Sequence, residues 1–196
     1  MPVKIDCKWE RVSFQQNDVP IERSSHGISE IDGIVYIFGG EDSAKVPVDS
    51  SVYALDISNQ NLKDGSAVWR KIESSNTSPI PRVAHAQATI GSRIYTFGGQ
   101  SVGTVKAESV LNDLHYFDVK TETWTEVTIK GGNIPAPRSF HAMASVGSSL
   151  FIFGGCGDNG RLSDLHEFDT NSLCWTEHDN VSKLRNTIIR VLKCLI

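Results

Sequence analysis

The sequence predicts an all-β protein in which a four-stranded antiparallel sheet recurs around an axis, as the blades of a β-propeller do. A short phrase recurs three times, as YIFGG, YTFGG and FIFGG, and its copies end at Gly40, Gly99 and Gly155. Segments rich in β-branched and aromatic residues surround each copy, and no stretch of the repeat shows a sustained 3.6-residue period. These observations favour repeated sheets over repeated helices.

The repeat is longer than the glycine phrase. An Arg-x-x-His precedes each copy, and its histidine stands 13 residues before the first glycine in all three: Arg23 with His26, Arg82 with His85, and Arg138 with His141. A strand-like segment that ends in Asp follows each copy, and then a tryptophan, at Trp69, Trp124 and Trp175. A period of 51 to 55 residues between tryptophans is typical of long β-repeats rather than of helical solenoids.

Each unit contains four predicted strands. In the first unit, HGISEIDG and IVYIFGG flank an Asp32-Gly33 turn, which is a strong hairpin signal. The segments SVYALD and VWRKI supply the two outer strands. The predicted blades span about 21–73, 80–129 and 136–178.

The Arg-x-x-His, Phe-Gly-Gly, Phe-Asp and Trp elements at this spacing resemble kelch repeats. More narrowly, RSSHGIS, FGGEDSAKVPVDSSVYALD, PRSFHAMASV and FGGCGDNGRLSDLHEFD resemble the N-terminal half of the plant nitrile-specifier and epithiospecifier proteins. The resemblance covers roughly residues 7 to 178. It implies a kelch-type β-propeller that is partial, with three complete blades and one additional N-terminal strand.

The recurrent glycines, tryptophans and histidines are interpreted as scaffolding. The G-x-G-x-x-G of a phosphate-binding loop is missing, so the glycines are expected to close the second strand of each blade and to let the backbone turn or approach the next blade. The tryptophans, with Trp9, are expected to pack between blades. The three histidines could form a metal site, but a residue that recurs once per blade more readily serves a buried hydrogen bond that recurs once per blade. No metal ligand and no catalytic residue is assigned.

The arginines are the first binding candidates. Arg23, Arg82 and Arg138 each begin a first strand, so they are expected to converge near one mouth of the propeller. In kelch proteins, as the resemblance implies, this position lines the ligand or partner surface. A guanidinium there can hold a carboxylate or sulfate by two hydrogen bonds, and salt bridges between blades are the alternative.

The loops that vary in length are predicted to lie on the same face as the arginines. They are EDSAKVPVD, QSVGTVKAESVLND and CGDNGRLSD, and loops that vary on a constant frame are where binding usually resides. Asp42, Asp49, Asp158 and Arg161 are candidate polar contacts, with solvated loop charges as the alternative.

Three blades cannot close a ring of ordinary blade width. The strand predicted at 7–14, around Trp9, precedes any blade, and the repeat pattern stops in the tail 179–196. We therefore expect domain 1–178 to be a truncated or partial form of a six-bladed propeller. An open blade edge could allow self-association.

Composition excludes several classes of function. The 196 residues carry a net charge of −4, with scattered Lys and Arg, which argues against nucleic-acid binding. No window approaches 18 apolar residues, and the four cysteines show no C-x-x-C spacing, so we expect no membrane contact and a cytoplasmic location.

The sequence therefore predicts a non-catalytic interaction module that presents one loop face to a protein or a small anionic ligand. The alternative implied by the resemblance is an iron-dependent specifier that redirects glucosinolate breakdown toward nitriles. Such proteins are associated with a Glu-x-x-x-Asp-x-x-x-His iron motif, and this spacing is absent from the sequence. No cofactor is expected in this chain, and Fe²⁺ is expected if a full-length form is a specifier. A fragment that does not fold without further blades is the third hypothesis.

Overall fold

The computed structural model describes residues 18–57, 67–73, 75–102 and 109–179. All regular secondary structure within these ranges is β-strand. Across them, no helix is long and apolar enough to cross a membrane. The strand predicted at 7–14 and positions 180–196 of the predicted tail lie outside the described residues.

Blade 1 is a sheet of four antiparallel strands in the order β1-β2-β5-β6. Its strands are β1 (Gly27–Ile31), β2 (Ile34–Phe38), β5 (Val52–Asp56) and β6 (Trp69–Ile72). The predicted hairpin joins β1 to β2, with φ of 53° at Asp32 and 79° at Gly33, the positive values that its tight turn requires. Between β2 and β5, the strands β3 (Glu41–Ser43) and β4 (Val46–Pro47) form a separate small hairpin.

Blades 2 and 3 repeat the four-stranded sheet. Blade 2 contains β7 (Ala86–Ile90), β8 (Arg93–Ser101), β9 (Ser109–Asp118) and β10 (Thr123–Glu126). Blade 3 contains β12 (Ala142–Val146), β13 (Ser149–Gly157), β14 (Gly160–Asp169) and β15 (Cys174–Glu177), and β11 (Gly131–Gly132) adds a parallel outer strand next to β15. The three sheets are separate, so the described residues form an open, partial β-propeller.

The double glycines do not end the second strand in every blade. In blades 2 and 3, β8 and β13 continue past them, with a break in register between Phe97 and Gly99 and between Phe153 and Gly155. The prediction that the glycines close the second strand is correct for blade 1 and wrong for the other two. The bulge allows the strand to pass the glycines and keep pairing with the third strand.

The main core clusters lie between blades. Phe38 of blade 1 contacts Trp124 of blade 2, with ring centroids 4.7 Å apart, and Phe97 of blade 2 contacts Trp175 of blade 3 at 5.4 Å. Both phenylalanines and both tryptophans are buried. The prediction that Trp124 and Trp175 pack between blades is therefore confirmed. Trp69 is also buried, and Trp9 lies outside the described residues.

Gly98 shows why the double glycine is needed. Its φ is +61°, and a Cβ atom there would lie 2.7 Å from the Arg138 carbonyl oxygen of the next blade. The following Gly99 N–H donates to the same oxygen at 2.9 Å. The glycines of blade 1 make the same contacts with the Arg82 carbonyl of blade 2. A side chain at this position would push the blades apart.

We predict that Gly98→Ala destabilises the protein by about 1–3 kcal/mol more than Gly91→Ala does. Both glycines have positive φ, so both substitutions carry the conformational penalty of about 1–2 kcal/mol, but no atom lies within 4 Å of a Cβ at Gly91. The free energies of unfolding of the two variants in urea measure the difference. Equal destabilisation would show that blade contact does not require the glycine.

Candidate functional site

One face of the blades carries both the segments that enter the first strands and the connections from second to third strands; we call it the loop face. Short antiparallel bridges join the two kinds of segment in every blade: Ser24 with Glu41, Val83 with Gln100, and Ser139 with Cys156. Each bridge is made by backbone hydrogen bonds of 2.7 to 3.0 Å. The shared face predicted from strand order is therefore confirmed.

Arg138 is buried at the loop face of blade 3. Its two terminal nitrogens donate to the two carboxylate oxygens of Asp164, both at 2.7 Å. Nη1 also donates to the Gly154 carbonyl at 3.1 Å, and Nε donates to the Ala136 carbonyl at 3.0 Å. The side chain is 0% exposed. The hydrogen bonds from Arg138 hold the pKa of Asp164 well below its usual range, so this carboxylate is ionised at neutral pH.

Arg82 repeats this arrangement in blade 2. It donates to both oxygens of Asp113 at 2.8 and 2.7 Å, to the Gly98 carbonyl at 3.0 Å and to the Ile80 carbonyl at 3.2 Å. Its side chain is also 0% exposed. Both arginines thus bind acceptors of their own blade with all three guanidinium nitrogens.

These contacts differ from the two sequence-based expectations for the arginines. The salt bridges lie within a blade, not between blades, because Asp113 and Asp164 lie in the middle of the third strand of the same sheet. The guanidinium groups point into their blades instead of lining an opening. The geometry gives Arg82 and Arg138 a structural task, and a ligand-binding role for them stays a prediction.

Blade 1 lacks the aspartate at this position. Ser51 stands five residues before Asp56, as Asp113 stands five before Asp118. Arg23 therefore meets a different carboxylate, and its Nη2 lies 3.9 Å from an Asp49 oxygen.

Arg23 is held by weaker contacts than its counterparts. Nη1 donates to the Gly39 carbonyl at 3.1 Å, and the guanidinium carbon lies 4.7 Å from the centre of the Tyr53 ring. The Tyr53 hydroxyl donates to Asp49 at 2.8 Å. The Arg23 side chain is 3% exposed, so it is buried without the bidentate pair of the other blades.

His85 and His141 directly precede the first strands of blades 2 and 3, and they pack against the preceding blade. His85 lies edge-on to Phe38 at 5.3 Å, and His141 lies edge-on to Phe97 at 5.5 Å. Burial, with the nearby arginines, lowers the pKa of both to about 3, so they are neutral at neutral pH. His85 bonds to Gln87 at 3.1 Å, but Met143 takes the place of Gln87 in blade 3. The predicted buried hydrogen bond is therefore made by His85, but its side-chain partner does not recur in blade 3. Packing against a phenylalanine of the preceding blade is the feature that His85 and His141 share.

The structure does not bring the histidines together as metal ligands. His85 and His141 lie in separate interfaces between blades. In the ranges that the structure describes, no group of three or more His, Cys, Asp and Glu side chains is arranged to hold a metal ion.

The predicted loop contacts fall into two groups on the loop face. Asp42 is exposed on β3, and Asp49 is half-buried beside Arg23, both in blade 1. Asp158 is exposed in the turn between β13 and β14, and Arg161 is exposed on β14. Arg161 also borders an open cavity of about 510 Å³ in blade 3, which Phe140 helps to line.

Sequence reasoning missed a set of exposed apolar side chains on this face. Seven of the ten large hydrophobic residues exposed in the described ranges lie there, 47 to 64% exposed: Val19, Ile21, Val46, Ile80, Val102, Ile134 and Phe140. A signal was present in the segments VPIER, SPIPR and IPAPR, where a proline three residues before each arginine has apolar neighbours. Pro79 and Pro135 are fully buried, and Ile80 and Ile134 beside them face solvent.

We predict that Arg138→Ala destabilises the protein by about 3–5 kcal/mol, because it leaves Asp164 without its buried cation. Arg161→Ala, in the same blade but exposed, is the matched control and should change the free energy of unfolding by less than about 0.5 kcal/mol. Urea unfolding of both variants measures the effect. If the two variants are equally stable, the buried ion pair does not hold the entry segment in place.

Comparison with known proteins gives one consistent assignment. The family model described as the KLHDC2/KLHL20/DRC7 Kelch-repeats domain matches residues 5–184. N-(sulfonatooxy)prop-2-enimidothioate sulfolyase of Thlaspi arvense is 30% identical over 167 residues, which are 83% of this chain and 44% of the relative. Human Kelch domain-containing protein 1 is 30% identical over 190 residues, 88% of this chain and 46% of the relative.

A further relative and a solved structure agree. Tip elongation aberrant protein 3 of Schizosaccharomyces pombe is 29% identical, over 86% of this chain and 17% of its own length. The structure of YjhT matches with a TM-score of 0.65 and 19% identity, over 84% of this chain and 53% of that one. The chain thus spans less than half the length of these curated relatives.

Proposed function

The chain belongs to the kelch-repeat family, and from that premise we propose that it is a non-catalytic interaction module that binds a protein partner through its loop face. Kelch-repeat domains as a class support interaction between proteins. Small anionic ligands are a less favoured occupant, because the arginines that would hold an anion are buried against acceptors of the protein itself.

The observation that carries this proposal is the uneven distribution of exposed apolar side chains. Single exposed hydrophobic residues are normal on any protein surface, but seven of ten on one face are not an even scatter. Aliphatic and aromatic side chains on a polar background are what a protein interface buries.

The loop face also presents these side chains on a fixed backbone. Arg82 Nε donates to the carbonyl of Ile80, whose own side chain is 51% exposed. Arg23 makes the same bond to Ile21, which is 53% exposed. A surface that is ordered before binding loses less conformational entropy on association.

We predict that Ile80→Glu and Phe140→Glu each reduce partner capture at least tenfold, because each places a charge in the apolar contact. Val146→Glu is the control, since Val146 is 42% exposed at the opposite end of blade 3. The immobilised 196-residue chain and the three variants would be compared for the proteins that they retain from a cell extract, quantified by mass spectrometry. Light scattering on the same samples shows whether the partner is a second copy of the chain.

The proposal fails if captured proteins are insensitive to both loop-face substitutions. It also fails if Val146→Glu weakens capture as much as they do.

The relative named as a sulfolyase favours a second candidate, which is the one that the sequence resemblance implies: an iron-dependent protein that redirects glucosinolate breakdown toward nitriles. The described residues do not offer a cluster of side chains that fits Fe²⁺. The iron would therefore be held elsewhere, as in a longer form of the protein, and we derive no step through it.

For the 196-residue chain we predict no change of product when it is added, with Fe²⁺, to myrosinase and a glucosinolate. The reason is that the side chains described here provide no site for the metal. Gas chromatography of nitrile and isothiocyanate measures the ratio. An increase in nitrile that Arg138→Lys abolishes, in a variant shown to be folded, would favour the specifier over the interaction module.

A further inference from the structure

We infer that the blade 1 part of the loop face binds a protein segment in which an aliphatic or aromatic side chain is flanked by Lys or Arg. We call this surface, residues 18–23 and 41–47, the blade 1 sector. The inference rests on the proposed function and specifies the chemistry of the partner.

The two segments of the blade 1 sector are held side by side. Ser24, directly after the first segment, and Glu41, at the start of the second, exchange two backbone hydrogen bonds of 2.9 and 3.0 Å. The hydroxyl of Ser25 adds a bond to the Glu41 carboxylate at 2.8 Å. Side chains from both segments therefore contribute to one surface.

The apolar part of the sector consists of three exposed aliphatic side chains. Ile21 is 53% exposed, Val46 is 52% exposed and Val19 is 47% exposed. No other blade places as many on the loop face within the described residues, where blade 2 has Ile80 with Val102 and blade 3 has Ile134 with Phe140. These aliphatic side chains can receive an apolar anchor from a partner.

The charge of the sector favours basic residues next to the apolar anchor of the partner. Three carboxylates are exposed, those of Asp18, Glu22 and Asp42, and one ammonium, that of Lys45. The positive charge of Arg23 is buried beside Asp49. A partner that brings Lys or Arg beside its apolar residue would gain favourable electrostatics and a faster association rate.

Among the described segments that enter first strands or connect second to third strands, an excess of exposed carboxylates beside exposed apolar side chains occurs only in blade 1. On blade 3, exposed Asp158 is accompanied by exposed Arg161. On blades 2 and 3, Asp113 and Asp164 are already paired with buried arginines. Among the described parts of the loop face, the blade 1 sector therefore has the clearest preference for a basic partner.

The backbone of the sector is also held by hydrogen bonds, which favours a short segment as the partner. Arg23 Nε fixes the Ile21 carbonyl at 3.2 Å, and the Val48 N–H closes the β3-β4 hairpin onto the Gly40 carbonyl at 2.9 Å. The ordering cost then falls mainly on the partner. Nucleic acid and anionic lipid are disfavoured by the exposed carboxylates.

The test is a selection of random twelve-residue peptides displayed on phage, with the immobilised 196-residue chain as the target. We expect the selected peptides to be enriched in Leu, Ile or Phe next to Lys or Arg. For the strongest synthetic peptide, fluorescence anisotropy should show at least tenfold weaker binding to the pair Ile21→Ser with Val46→Ser, and to the pair Glu22→Lys with Asp42→Lys. Raising the salt from 50 to 300 mM should weaken binding to the original chain more than to the charge-reversed pair.

The controls separate this inference from the proposed function. Val146→Ser, at the opposite end of blade 3, should bind within twofold of the original chain, and far-UV circular dichroism should show that every variant is folded. Peptides without an excess of basic residues, or peptides that bind both double variants as tightly as the original chain, would overturn the inference. If binding instead depends on Ile80, Ile134 or Phe140, the inference fails and the proposed function stands. If no loop-face substitution weakens binding, both fail.

Discussion

The pair formed by a buried arginine and an aspartate of its own blade is the interaction on which the loop face depends. In blades 2 and 3 the guanidinium ties the segment that enters the first strand to the middle of the third strand and to the carbonyl of the first glycine of the double-glycine pair. Because the guanidinium is fully buried and the aspartate side chain is half-buried, removal of the aspartate leaves a buried charge without compensation, and removal of the arginine leaves the carboxylate without its donors. The entry segment therefore has one position, and everything that it exposes is placed with it.

The same segment connects neighbouring blades. The Arg138 carbonyl accepts the Gly99 N–H of the preceding blade, and His141, three residues on, packs against Phe97. One short stretch thus uses its arginine side chain within a blade, and its backbone and its histidine side chain between blades. This division explains why Arg, His and the double glycine recur together at constant spacing. Each makes one of the contacts that hold the entry segment to its own blade and to the preceding blade.

Blade 1 lacks the bidentate arginine–aspartate pair of the other blades. It is also where the exposed surface is most distinctive. Ser51 replaces the aspartate, Arg23 turns to Asp49 and Tyr53, and the connection to β5 folds as its own hairpin. Because the arginine contacts differ in blade 1 alone among the described blades, blade 1 can carry a different surface while the other two keep the common geometry. That is the physical reason for seeking a partner site at blade 1.

The sequence by itself determined the blades, because hydrogen-bonded strands and a close approach at Gly98 impose local requirements that residue types reveal. It also determined that the arginines matter and that the loops share a face. Tertiary structure decided where each guanidinium points, since an arginine that begins a strand can reach outward or inward with equal local cost and the choice depends on an aspartate 26 or 31 residues away. Tertiary structure also decided which aliphatic side chains remain exposed, because burial depends on what the neighbouring blade covers. The residue spacing within one segment does not reveal which side chains a neighbouring blade covers.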